Sequence, residues 1–315
     1  MKIFTNPNYD FVRWRWHAIA LSLAVILAGA FMIATRGLQK GVDFEGGSIV
    51  LVKFDQPTEL GSVRNLYGGD AVVQQYGDAD DRQVMIRVKR TGAETAGNLS
   101  TEADKVVATL KQANLGNFQV VGTEIVGPVV GEQLRRQGLM ATVLAMAGIM
   151  LYIALRFQFT FAVGAIVATL HDILVCLAFL AFFRYDMTLN VVAGLLTITG
   201  FSVNDTIVVF DRVRENMRGM RRDNLSTIVN TAVNQTLSRT VITAGTALLS
   251  VLALYLFGGE VLKGFAFTML VGIISGTYST VFIAASLAIM FQGRRPLKGQ
   301  APASSAVRPN RRKAS

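Results

Sequence analysis

A single cysteine, Cys176, stands among 315 residues, and it lies inside an apolar run. One cysteine excludes an intrachain disulfide, a redox thiol pair and a thiolate zinc site. Charge is also scarce: Asp, Glu, Lys and Arg make up 17% of the chain against 51% hydrophobic residues, with a mean hydropathy of +0.42. That balance excludes a soluble protein of this length and predicts several membrane spans. Acidic residues are in the minority, leaving a formal charge of +10. The basic residues nevertheless cluster at the ends of apolar segments, where membrane topology accounts for them, so no nucleic-acid partner is expected.

What is present is a set of six apolar segments, each long enough to cross roughly 30 Å of hydrocarbon as a helix. They run over Ala18–Ala34, Leu139–Leu155, Phe159–Phe183, Leu189–Phe210, Thr240–Phe257 and Phe265–Phe291. The chain therefore divides into a tail 1–17, a first transmembrane helix 18–35, an inserted domain 36–137 and a five-helix bundle 138–291. The bundle contains a polar connection 211–239, and a basic tail 292–315 follows it. Rich in Pro, Ser, Ala and Arg, that tail reads as disordered and lipid-facing. Lys2, Arg13 and Arg15, then Arg156, then Arg212 to Arg239, then the tail from Arg294, fall on one side of the membrane. The short connections on the other side carry only Arg184 and Lys263. By the positive-inside rule both termini are cytoplasmic and the insert is external. Ala28-Gly29-Ala30 has the look of a signal-peptide cleavage site, but the apolar run continues to Ala34, which favours an uncleaved anchor.

The insert reads as β-α-β-β-α-β. Strands are expected over 48–54, 71–76, 83–89 and 118–126, with helices over 58–67 and from Ser100 or Thr101 to Asn114. The fold class is thus an α-helical integral membrane protein of six transmembrane helices, with a ferredoxin-like α+β domain between helices 1 and 2. The insert contains no nucleophile and base pair, metal cluster or phosphate-binding loop, so no enzyme, cofactor or metal is expected. Its entry, Gly41-Val42-Asp43-Phe44-Glu45-Gly46-Gly47, reads as a glycine hinge with solvated carboxylates, with ion ligation by Asp43 and Glu45 as the alternative.

The residues that ask for a function are the charges inside the membrane. Asp205, in Asn204-Asp205, costs roughly 2.5 to 3.5 kcal/mol to bury in a bilayer, and His171-Asp172 sits near the middle of the third span. Asp205 lies about 9 Å from the cytoplasmic end of the fourth span. Thr197, Phe201, Val208 and Arg212 share its expected face, and Arg239 enters the membrane from the same side, within reach of an ion pair. Such a pair either holds two helices together or releases and takes up a proton as the bundle shifts, in a relay of Asn204, Asp205 and Arg239 that His171 and Asp172 would extend; the other reading of the histidine is a satisfied hydrogen-bond partner. A charge crossing the membrane is worth about 2.3 kcal/mol per 100 mV, enough to rearrange it. Asp211, Arg212, Arg214 and Glu215 read as interfacial pairs, and 223–237 as an interfacial amphipathic helix. Gly272 and Gly276 form a helix-packing face, and Gly258-Gly259 begins a tight external turn.

Five motifs together resemble the SecF family of protein-export membrane proteins, within the RND superfamily. They are the Gly41–Gly47 run, Leu170-His171-Asp172, Val203-Asn204-Asp205 through Asn216, Asn234-Gln-Thr-Leu-Ser-Arg239-Thr240, and Phe257-Gly258-Gly259 through Phe265. The resemblance covers about Gly41 to Gly276. It implies a periplasmic head, a location in the bacterial inner membrane, and a SecD partner that completes a twelve-span bundle. It also implies association with the SecYEG channel and YajC, an indirect link to SecA, and use of the proton-motive force to assist late translocation of an unfolded polypeptide. Asp205 and Arg239 fall on the family's intramembrane Asp and Arg. The family's other proton-path aspartate belongs to SecD and has no counterpart in this chain. A small-molecule exporter of the same superfamily and a non-transporting scaffold are the alternatives.

Overall fold

A computed structural model describes residues 7–67, 71–77, 81–88, 99–126 and 128–292; the basic tail expected over 292–315 falls, from 293 on, outside them. Six helices are long and apolar enough to cross a membrane. They are α1 (Arg15–Arg36), α5 (Pro128–Arg156), α6 (Phe159–Phe183), α7 (Leu189–Gly219), α8 (Leu225–Phe257), and a last span built from three pieces. Those pieces are α9 (Glu260–Ser279), a π-helical turn (Thr280–Ala284) and α10 (Ala285–Gln292).

The inserted head holds α2 (Val42–Glu45), β1 (Gly47–Phe54), α3 (Leu60–Asn65), β2 (Ala71–Tyr76), β3 (Gln83–Val88), α4 (Leu99–Gln112) and β4 (Phe118–Val126). Its strands pair antiparallel in the order β2-β3-β1-β4, the ferredoxin-like arrangement. Alternation along β1 sends Val50, Val52 and Phe54 inward, where they pack with Val73, Ile86, Val106 and Leu110 beneath the two helices. The opposite face of the sheet carries Arg87 and, with Ile49, Leu51 and Met85, lines a cavity that Phe183, Asn190 and Gly264 at the ends of α6, α7 and α9 also line.

Two expectations change at the end of the bundle where α7 turns into α8. The stretch 223–237 is not a separate interfacial helix: it is continuous with the fifth span as α8, because Asn224 caps it through Thr227 N at 2.8 Å and no Pro or Gly occurs before Gly245. Its apolar side, Ile228, Val229, Ala232 and Val233, is buried in the protein core rather than in lipid. With α7 running on to Gly219, the long connection 211–239 shrinks to a turn at 220–224. On the other side α5 begins at Pro128, so the last residues assigned to the head belong to a helix continuous with the second span.

The Gly41–Gly47 run is not a free hinge either. Gly41 N donates to Met187 O at 2.7 Å, Met187 N donates to Gln39 O at 2.7 Å, and Lys40 pairs with Met187 in a parallel bridge. Gly47, at φ 131°, passes so close to β3 that a Cβ would stand 2.7 Å from Val88 O, which leaves glycine as the residue that fits.

The expected glycine packing face is present. Gly272 meets Ile198, where an added Cβ would lie 2.4 Å from the side chain, and Gly276 meets Ser202. These contacts bring α9 against α7, and Gly29 brings α1 against Ala178 of α6 in the same way. Gly258 closes α8 and Gly259, at φ 73°, opens α9 in the tight turn expected there.

Candidate functional site

Three helices meet at Asp172. From α6 its carboxylate reaches Ser202 of α7 and two serines of α9: Ser202 Oγ donates to Oδ2 at 2.6 Å, Ser275 Oγ to Oδ1 at 2.7 Å and Ser279 Oγ to Oδ2 at 2.7 Å. His171 Nδ1 lies 3.0 Å from Oδ1. All four contacts are ones a carboxylate accepts, and two oxygens supply about four lone-pair positions, so the group is filled. Ser275 and Ser279 are four apart on α9 and present one face to it. With its Nδ1 hydrogen turned to Asp172, His171 leaves Nε2 buried and without a partner. The ring stacks on Tyr278 and lines an apolar cleft of about 260 Å³ between α1, α6 and α9.

Asp205, one helical turn beyond Ser202, is placed differently. It is buried: Thr240 Oγ1 donates to Oδ1 at 2.7 Å, the Thr280 hydroxyl and the Arg239 charge lie within electrostatic reach, and Oδ2 is buried with no hydrogen-bond partner. An orphaned buried acceptor costs about 1–3 kcal/mol, more when charged. Thr206 beside it shares a hydrogen bond of 3.0 Å with Thr280, the first residue of the π-turn. Ser279 holds Asp172 and Thr280 holds Thr206, so the widened turn starts between the two carboxylate sites. Single π turns inside helices are frequent at functional positions.

The ion pair expected between Asp205 and Arg239 is not formed. Arg239 is exposed, and Thr240 occupies the position facing α7. Successive helix residues point about 100° apart, so Arg239 and Thr240 cannot both face the same neighbour. Asn204 is turned away from Asp205 for the same reason and is exposed. The expected face of α7 is displaced by about one residue: Thr197 is exposed, Phe201, Val208 and Arg212 are half-buried, and the buried stripe runs through Ile198, Ser202, Asp205, Thr206 and Val209.

At the interface Arg212 donates to Glu215 at 2.5 Å and to Gln235 at 2.6 Å, and Asp211 pairs with Arg156 at 3.1 Å and Arg214 at 3.5 Å. These are the expected exposed pairs, weak as such pairs are, although Arg156 and Gln235 come from other helices. Asp43 has left its expected role as a solvated carboxylate: its Oδ2 accepts from Leu189 N at 2.9 Å, at the first residue of α7. Among the described residues no three His, Cys, Asp or Glu side chains converge as a metal site would require.

The sequence reading found both carboxylates and missed the hydroxyls that distinguish them. Ser202, Ser275, Ser279, Thr240 and Thr280 are ordinary residues in transmembrane helices, where most hydroxyls bond back to their own helix, as Thr199 does to Leu195 O. The four-residue spacing of Ser275 and Ser279 was the available signal.

Comparison with known proteins agrees with this architecture. The family model for the C-terminal region of the protein export membrane protein SecD/SecF matches residues 105–294, and that for the SecD/SecF GG motif matches residues 31–58. Protein translocase subunit SecF of Vibrio alginolyticus is 39% identical over 291 residues, covering 90% of each chain. That of Pseudomonas aeruginosa is 42% identical over 282 residues, covering 88% of this chain and 89% of its own. The crystal structure of SecDF, a translocon-associated membrane protein from Thermus, matches with a TM-score of 0.80 at 32% identity over 92% of this chain. The chain spans 39% of that SecDF protein's length. With a family model over residues 105–294 and translocase-subunit relatives 39% and 42% identical over about nine-tenths of the chain, the chain belongs to the SecD/SecF family of protein-export membrane proteins, on its SecF side.

Proposed function

We propose that this chain is one half of a proton-driven export device, working with a SecD subunit that supplies the other half of the bundle. In this reading it lies in the bacterial inner membrane with both termini cytoplasmic and the head in the periplasm. It associates with SecYEG and YajC and assists the late translocation of unfolded secretory proteins after SecA has pushed them. Its part is to carry charge and movement; it performs no covalent chemistry.

The observation that carries the proposal is the contrast between the two buried carboxylates. Asp172 is filled by four neighbours, whereas Asp205 keeps one oxygen open in the protein interior. An open acceptor next to a helix with a π-turn is what a group needs if it is to gain a proton in one state and lose it in another. Arg239, adjacent to Thr240 but exposed, is placed to answer charge brought by a partner subunit, or to swing toward Asp205 if α8 rotates. Asp172 and His171 form the fixed part of the centre, around which α6, α7 and α9 are tied.

The test is Asp205→Asn in the complete complex, scored by export of a model secretory protein with the proton gradient intact and after collapse by an uncoupler. The variant is expected to keep its partner and to lose the uncoupler-sensitive share of export. Unchanged uncoupler-sensitive export from an intact complex would reject the proton role and leave the chain as a scaffold.

A further inference from the structure

Among the described residues no hydrogen bond joins the Gly41–Gly47 motif to either membrane carboxylate, yet its Asp43 is bonded to the helix that carries one of them. Three interactions join it to the turn that opens α7. The backbone of residues 39–41 is hydrogen-bonded on both sides of Met187. Asp43 Oδ2 accepts from Leu189 N, adding a carboxylate to the N-terminus that Thr188 already caps through Val191 N. From the sheet face opposite α3 and α4, Arg87 of β3 donates to Lys40 O at 2.8 Å and pairs with Asp186 at 3.1 Å, with both charged groups largely buried. The motif then runs straight into β1, a central strand of the head.

We propose that Asp43 is a positioning residue that makes this junction a rigid coupling, delivering displacement of α7 at Asp205 to the head. The proposal rests on the reading of Asp205 as the group that changes charge. Asp205 lies sixteen residues from Leu189 on one unbroken helix, about 24 Å along its axis. A continuous helix transmits axial and rotational shifts along its length. Those shifts reach Leu189, where Asp43 and the bridge to Met187 pass them to the strand that begins four residues later. A glycine hinge at the same place would absorb them.

The coupling is tested in the full chain with its partner. Asp43→Ala is expected to lower proton-dependent export about fivefold, the factor that a typical N-terminal cap is worth, with unchanged amounts of the complex. Asp43→Asn, whose amide oxygen still accepts from Leu189 N, is expected to retain most export. The decisive variant is a lock: Lys40→Cys with Met187→Cys places two thiols on bridge partners about 5 Å apart at Cα, within disulfide reach, while Cys176 is buried elsewhere. The oxidised lock is expected to export as well as the unmodified chain, and to restore export when combined with Asp43→Ala. Loss of export on oxidation, recovered with reductant, would show that the junction must open and would overturn the proposal. Wild-type export by Asp43→Ala, or failure of the lock to rescue it, would overturn it as well. If Asp205→Asn exports normally, the proton reading falls by itself; a lock that blocks export with Asp205 intact refutes only the coupling.

Discussion

Two aspartates one helix apart in the same membrane interior have opposite surroundings, and the difference lies in a handful of hydroxyls. Hydrogen bonds between transmembrane helices are worth about 0.6 kcal/mol on average and up to about 1.7. Asp172 makes three such bonds to serines, so Asp172→Ala should cost about 2 kcal/mol and lower the detergent melting temperature of the purified chain, whereas Ser279→Ala should cost about a third of that. Asp205→Asn has far less to lose, because one hydroxyl holds it and one oxygen is open; its melting temperature should stay close to that of the parent while export falls. That separation of stability from function is the signature of a working group as opposed to an anchor. Both aspartates were legible in the sequence because a carboxylate in an apolar run is conspicuous. Their division of labour was not, since the serine donors to Asp172 come from residues 30, 103 and 107 positions away.

Elements set how these residues can move. The last span is the only one among the described helices interrupted by a π-turn, and it packs on α7 through Gly272, where a Cβ would clash with Ile198, and Gly276, where a Cβ would be tight against Ser202. Gly272→Ala puts a Cβ within 2.4–2.8 Å of three atoms of Ile198. Overpacking of this kind costs about 1–3 kcal/mol. Gly245→Ala, with nothing within 4 Å, should be neutral or gain up to about 1 kcal/mol of helix propensity; melting of both variants in detergent checks the pair. In the head, burial pushes the Tyr67 phenol up to about 12 from 10.0, and its hydroxyl donates to Val106 O at 3.1 Å. The folded state therefore holds the phenolic proton more tightly than the unfolded one. Its contribution to stability is complete below pH 10 and is lost as pH rises from there toward 12. Tyr67→Phe should flatten that alkaline loss in denaturation of the whole chain. Hydropathy and periodicity foretold the strands and the spans well because both are local properties. They failed at the ends of α5, α7 and α8, where helices run on beyond the hydrocarbon because nothing in the sequence breaks them.

At the scale of the whole molecule the bundle is lopsided. The spans α6, α7 and the last one are well packed, while α5 and α8 leave most of their surface outside. The outer faces are not purely apolar: Arg239, Thr246 and Ser250 on α8 and Thr197 and Asn204 on α7 are exposed. Polar groups facing hydrocarbon are costly, and covering them with another protein removes that cost. Arg239→Leu and Asn204→Leu should therefore weaken co-purification with the SecD partner without lowering the melting temperature of the isolated chain; equal recovery of the partner would argue that it binds elsewhere. By itself the sequence determined the number and order of the spans, the βαββαβ head and which intramembrane residues are expensive, because each of these depends on composition and short-range periodicity; the family resemblance rested on five ordered motifs. Only the tertiary structure decided that Asp172 is filled and Asp205 open, that Thr240 rather than Arg239 faces α7, and that the Gly41–Gly47 run is clamped to a helix instead of swinging free. Those outcomes turn on rotations of about 100° per residue and on partners far away in the chain, and no local pattern encodes them.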